Sequence, residues 1–390
     1  MRDLVCVSHV RWDFLWQRPQ QLLSRLARQY RIWFVEQPVP SDESSPRLEI
    51  SEWQGERRRS VNVVRLHQPA SQSQRIGHGD PLTASAYSRM LFESLAAHGV
   101  KNPIVWMDTP MGLHFLDILK PSLLVYDVMD QLSAFQGAPA ELKDHERVLL
   151  RRAQIVLTGG ASLYRDKLAY NPHTFLLPSS VEVEHFAPAT RPERPADMAA
   201  LKGPIIGYFG AIDERIDFDL IGKIATERPD WQIALVGPIV GLDASELPQA
   251  PNLYYLGRKS YDELPAYLAH LDAALLPFVQ SEVTRYLSPT KALEYMAAHK
   301  PIVSTPIPDV VELCGGVVRI GYSDEEFVAQ IEQALQDNPK AHRAIEDELL
   351  SLHTWDAIAA RISRVMELKL ERKKRAGRRA RAQASAAYAD

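Results

Sequence analysis

Cysteine is scarce: Cys6 and Cys314 are the two thiols in 390 residues. They cannot build a disulfide framework, and Cys6 lies in the apolar run LVCV (4–7), where it reads as a small buried hydrophobe. A reducing cytoplasm is the simplest setting for such a chain. No run reaches the roughly 18 apolar residues that a membrane span needs. The opening stretch MRDLVCVSHVRWDF is too short in apolar residues for a signal peptide. Gly-x-Gly-x-x-Gly is missing after the first apolar run, which excludes the common dinucleotide site, and no Gly-x4-Gly-Lys-Ser/Thr phosphate loop exists. No Cys/His group has zinc spacing. GGASLYRD (159–166) lacks the Gly-x-Ser-x-Gly elbow of the serine hydrolases.

A strong net charge is absent too, since the chain carries −4. The balance is uneven, however. RKKRAGRRAR (372–381) holds seven positive and no negative residues, and with Asp390 the tail is +6, leaving residues 1–371 at −10. An acidic body excludes a whole-surface nucleic-acid binder. The tail is expected to touch an anionic surface, a membrane above all.

Short apolar runs alternate with helical patterns through the first half: LVCV (4–7), IWFV (32–35), IVW (104–106), LLVY (123–126), IVLT (155–158) and FLL (175–177), with PQQLLSRLARQ (19–29) and ELKDHERVLLRRA (141–153) between them. Apolar strands separated by helices predict an α/β fold, a parallel sheet covered on both faces. The polar segment 37–60 reads as a surface loop. The proline-rich 186–203 reads as a linker, after which the pattern restarts with PIIGYFG (204–210) and runs through GVVRIG (316–321). We expect two doubly wound Rossmann-like domains facing a cleft, residues 1–185 and 204–353. A return helix over 354–371 packs back on the first domain, and a basic tail covers 372–390. Open sheets of this kind bind ligands at the carboxyl ends of their strands.

One stretch is chemically odd for its place. SPTKALEYMAAHKPIVSTP opens with Ser288 as a helix cap and Pro289 at the first helical position, yet carries Lys291 and Glu294 on an otherwise packing helix. Helix-end amides with a lysine suit a phosphate, and a carboxylate can accept two hydrogen bonds from the hydroxyls of a ribose. A capped helix with a solvated Glu294 is the bland alternative.

SPTKALEYMAAHKPIVSTPIPDVVE resembles the nucleotide-sugar helix of the GT-B glycosyltransferases, most nearly family 4. In that family two glutamates eight residues apart form a motif. Glu294 matches the second, which the resemblance makes the ribose ligand. Tyr286 occupies the place of the first, and Glu282 is out of register. Within GYFGAIDERIDFDLI (207–221), the resemblance assigns Gly210 to the tight turn beside the donor diphosphate and Arg215 to its charge. A second basic residue is absent there, with Ile216 and Asp217 in its place. Gly257, Arg258 and Tyr261 of LGRKSYDELPAYL (256–268) resemble the nucleobase loop.

On the acceptor side, LLVYDVMDQLSAF (123–135) puts Asp127 and Asp130 at a strand end. The family commonly has a histidine there. Either carboxylate could act as general base toward an acceptor hydroxyl. SHVRWDFLWQRPQQL (8–22) replaces a glycine-rich turn with Trp12, Phe14, Trp16 and Arg18, suited to stacking on sugars and binding phosphate. Asp108 and His114 of MDTPMGLHF (107–115) mark another strand end. The resemblance implies a glycosyltransferase that moves a sugar from a UDP- or GDP-linked donor to a glycan or polyprenyl-diphosphate-linked acceptor. It would need no cofactor or metal and would be cytoplasmic, at the inner face of the membrane, in the making of surface polysaccharide. A sugar-nucleotide epimerase and a non-catalytic nucleotide-sugar-binding protein are the alternatives.

Overall fold

A computed structural model describes residues 1–55, 59–72, 77–187, 190–338 and 342–387. The first unit is built on nine strands: β1 (Arg2–Val7), β2 (Tyr30–Val35), β3 (Val39–Ser41), β4 (Arg47–Gly55), β5 (Arg59–Pro69), β6 (Ile104–Met107), β7 (Leu123–Val128), β8 (Ile155–Thr158) and β9 (Thr174–Leu176). They order as β3-β5-β2-β1-β6-β7-β8-β9, with β4 antiparallel on β5 and every other pairing parallel. The second unit has six parallel strands: β10 (Ile205–Phe209), β11 (Gln232–Val236), β12 (Leu253–Tyr255), β13 (Ala273–Leu276), β14 (Ile302–Ser304) and β15 (Arg319–Ile320). Their order is β12-β11-β10-β13-β14-β15.

The central strands are apolar on both faces because helices cover both, so runs such as Leu4–Val7 and Ile155–Leu157 are buried throughout. The segment 37–60 is not a loop. It contributes β3 and the long β4, and the unforeseen β5 joins them to the sheet edge. Leu48 and Ile50 pack on the core cluster of one face and Trp53 on that of the other, while Glu49, Ser51 and Glu52 interrupt both faces, so this edge hairpin had too little continuous apolar sequence to announce itself.

A single helix runs Trp355–Ala387, with no break between the expected return segment and the basic run. Trp355, Ile358, Ile362, Met366 and Leu370 are buried in one cluster with Leu22, Leu23 and Leu26, which lays this helix on the first unit as expected. Side chains of 379–381 and all of 388–390 lie outside the described residues. No described helix is long and apolar enough to cross a membrane.

Candidate active site

The carboxyl ends of β1, β7, β10 and β11 meet across a cleft of about 460 Å³. Its second-unit wall is built from short turns. β10 and β11 are each followed by a glycine, and Gly210 and Gly237 hold φ of 148° and 154°, which only glycine adopts readily. A Cβ on Gly237 would stand 1.7 Å from the Gly210 carbonyl oxygen, so the two turns approach as bare backbone. Both line the cleft.

The helix Thr290–Ala297 points its first turn into the same space, with Thr290, Lys291 and Glu294 in the lining. Lys291 Nζ donates to Glu294 Oε2 at 2.7 Å and lies 4.4 Å from the centre of the Phe209 ring. Glu294 is buried and paired, so the two form one cleft-facing ion pair rather than a lone solvated charge. Ser288 does not cap this helix. Its hydroxyl donates to the Gly159 carbonyl of the first unit at 2.9 Å, and Pro289 holds the cap position without a side-chain hydrogen bond.

Arg215 projects into the cleft and forks onto Asp213 at 2.9 and 2.7 Å, with its guanidinium 5.5 Å from the centre of the Phe135 ring across the gap. Burial works against its charge, but the hydrogen bonds and field of Asp213, helped by Asp130, outweigh that and raise its pKa.

On the first-unit wall the expectations divide. Asp130 lines the cleft, and burial raises its pKa while the charge of Arg215 opposes the rise. Asp127 is elsewhere. It is buried, absent from the cleft wall and held by Arg18, whose Nε and Nη2 donate to its carboxylate at 2.7–3.1 Å. The remaining Arg18 nitrogen, Nη1, donates to the Leu177 carbonyl at 2.9 Å. Arg18 does line the cleft, but the expected base Asp127 and the expected phosphate ligand Arg18 occupy each other. Sequence reading missed this because the partners are far apart in the chain.

Trp12, Phe14 and Trp16 do reach the cleft, joined by Trp53 from β4. Trp12 is the most deeply set, with ring centres 5.8 Å from Trp16, 5.3 Å from Trp53 and 5.0 Å from Phe34. Its backbone amide donates to Glu36 Oε1 at 2.6 Å, and Arg65 donates to the other Glu36 oxygen at 2.7 Å. The fully buried Glu36 thus anchors the aromatic loop, a role without any local motif.

Of the expected nucleobase residues, Arg258 and Tyr261 bridge the two units, while Gly257, at a left-handed φ of 69°, does not line the cleft. Arg258 donates to the carbonyls of Asp13 and Phe14, both at 2.6 Å, and sits over the Phe14 ring. Gln21 donates to the Tyr261 hydroxyl at 2.9 Å, and the Tyr261 ring stacks on His185 at 4.1 Å. Tyr286 packs on the first unit's core and Glu282 lies on a separate surface pocket, so neither replaces the missing glutamate. Asp108 is buried against Cys6 and Trp106. His114 packs beside Phe115 and His78. Neither lines the cleft.

Residues 203–337 match the family described as glycosyl transferases group 1. The match takes in nearly all of the second unit. Over the whole chain, a sucrose-phosphate synthase from Thermosynechococcus elongatus superposes with a TM-score of 0.70 at 14% identity, covering 94% of this chain and 99% of that one. An E. coli structure described as trehalose-6-phosphate bound with UDP-2-fluoro glucose does so at 0.67 and 13%, covering 93% and 98%. The fold is GT-B. In sequence, the chain is 25% identical over 232 residues to a Bacillus subtilis (strain 168) protein named for teichuronic acid biosynthesis, glycosyltransferase TuaH. The match takes in 57% of this chain and spans 58% of that relative. In the matched unit the Lys291–Glu294 pair and the paired glycine turns share one wall, facing the aromatic loop of the other unit.

Proposed function

We propose that this chain is a metal-independent glycosyltransferase that moves a sugar, of the hexosyl class, from a UDP- or GDP-linked donor to a glycan or lipid-linked acceptor of the cell envelope. The observation that carries the reading is the Lys291–Glu294 pair on a helix whose first turn opens into the cleft opposite Asp130. A ribose displacing Lys291 from Glu294 would leave the carboxylate to its two hydroxyls and the ammonium to the diphosphate. The bare backbone at Gly210 and Gly237 lets the phosphates approach. The family of residues 203–337 supports a sugar donor, and the UDP-2-fluoro glucose of the E. coli neighbour supports uridine.

The acceptor hydroxyl attacks the anomeric carbon, the bond from that carbon to the diphosphate oxygen breaks, and its electron pair leaves with the diphosphate. Arg215 and Lys291 neutralise the charge that develops there. The hydroxyl proton passes to Asp130 on an inverting route, or to the departing phosphate on a retaining one. Trp16 and Trp53 supply ring faces for the acceptor sugar. The basic run 372–381 would hold the protein at an anionic membrane, where a lipid-linked acceptor resides.

Incubation with a panel of UDP- and GDP-sugars, with and without candidate acceptors, tests the reading. Nucleoside diphosphate release that depends on an acceptor is expected. Conversion of donor without acceptor would make the chain an epimerase, and binding without turnover would make it a carrier.

A further inference from the structure

The helix Ala161–Leu168 of the first unit starts without a cap of its own, since Gly160 stands at its N-cap and has no side chain. The missing partner comes from the other unit. Asp309, on the helix Pro308–Cys314 that follows β14, accepts from the Ser162 amide at 2.9 and 3.3 Å and from the Ser162 hydroxyl. Asp309 is 2% exposed and Ser162 is 9% exposed, so the contact is buried. The space is tailored to it: a Cβ on Gly160 would stand 2.2 Å from Asp309 Oδ2. One residue earlier, Gly159 receives the Ser288 hydroxyl at 2.9 Å. On the rim, Arg165 reaches Glu312 at 2.8 and 3.0 Å.

We propose that Asp309 is a positioning residue, a helix cap donated across the cleft that closes the two units and sets the donor helix in register with Asp130. The chain of contacts is short. Ser288 lies two residues before the helix that carries Lys291 and Glu294. Gly159, which Ser288 holds, packs against Met129, where a Cβ would stand 3.7 Å from the Met129 Cα, and Asp130 is next in the chain. Opening the cleft would strip a buried carboxylate of its donors and a helix of its cap together. Losing the cap and leaving a buried polar group unsatisfied both disfavour the open state. Burial raises the Asp309 pKa and the Ser162 hydrogen bonds oppose the rise, so a neutral side chain that still accepts, asparagine, keeps the clasp without the burial cost.

The closure needs no assumption about chemistry, whereas the effect on turnover rests on the sugar-transfer reading. Small-angle scattering of the full chain without ligand tests the first. Asp309→Ala, Ser162→Ala and Gly160→Ala are each expected to increase the radius of gyration, and Asp309→Asn to leave it as in the parent, with far-UV dichroism showing all four folded. Calorimetry with UDP and with GDP is expected to give unchanged affinity in Asp309→Ala, because Asp309 does not line the cleft. Turnover is expected to fall roughly 10- to 100-fold in Asp309→Ala through misplacement of the reacting groups, with Asp309→Asn restoring it. Parent-like scattering in Asp309→Ala and Gly160→Ala would overturn the clasp even if the parent transfers no sugar. Open scattering with parent turnover would overturn its positioning role, and loss of UDP and GDP binding would place Asp309 in the nucleotide site instead.

Discussion

Arg18 and Asp127, 109 positions apart, form a buried, forked ion pair beneath the cleft, with donor–acceptor distances of 2.7–3.1 Å. The arginine side chain is 4% exposed and the carboxylate 0%. The pair ties the start of the helix Arg18–Leu26 to the end of β7, and Arg18 also holds the chain after β9 through Leu177.

Breaking this pair from one side should be costly, because the surviving charge is buried and unpaired. Asp127→Ala and Arg18→Ala are each expected to lose roughly 3–5 kcal/mol of stability. Replacing both with apolar side chains of similar volume, Arg18→Met with Asp127→Leu, should recover most of it. Urea titration of the three variants checks this, and additive losses in the double variant would refute the pairing energetics.

Glu294→Ala and Lys291→Ala should each weaken UDP or GDP binding by roughly 1.5–3 kcal/mol, the value of a hydrogen bond to a charged group. Isothermal titration measures it directly. Parent affinity in both variants would remove the helix Thr290–Ala297 from the donor site.

Asp130→Asn should abolish transfer where the carboxylate serves as base, while leaving nucleotide affinity near that of the parent. Burial raises the Asp130 pKa, and a base must be ionised. The acid limb of the kcat profile is therefore expected above the usual carboxylate range, with activity lost as pH falls through it. A profile unchanged in Asp130→Asn would exclude this residue as the base.

Asp108 gives a stability prediction of opposite sign. Burial, with the charge of Asp127 behind it, pushes its pKa up to about 7. The folded state then keeps a proton that the unfolded state has released from pH about 4 upward, so this group's contribution is present at low pH and lost as pH rises toward 7. Asp108→Asn keeps the acceptor for Trp106 but cannot ionise. Its melting temperature should gain on the parent between pH 5 and pH 8, and a constant difference would contradict the raised pKa.

The basic run should make vesicle binding salt-sensitive. Full-length protein is expected to sediment with vesicles containing anionic lipid, and a 1–371 truncation to sediment less, because each basic residue near such a surface contributes on the order of 1 kcal/mol. The attraction should fade as salt rises, since screening acts over about 8–10 Å at physiological strength. Equal sedimentation of the two chains would exclude the tail.

What could be read from the sequence was local. Apolar runs such as LVCV and IVLT are short and continuous because both faces of a parallel sheet are buried, so the two α/β units and the packing of the last helix were legible in one dimension. Lys291 and Glu294 sit one turn apart, so helical period alone put them on one face. The β4 hairpin was not legible because an edge strand with polar residues interleaved on both faces reads as polar sequence. The tertiary structure alone decided which charges are free. Asp127 and Asp130 look equivalent as two carboxylates three residues apart, yet Arg18 takes one and the other faces the cleft. Ser288 looks like a cap and instead crosses to Gly159, while the cap for Ser162 arrives from Asp309, 147 residues away. Buried polar groups must find partners, but nothing in a linear chain says which distant segment supplies them.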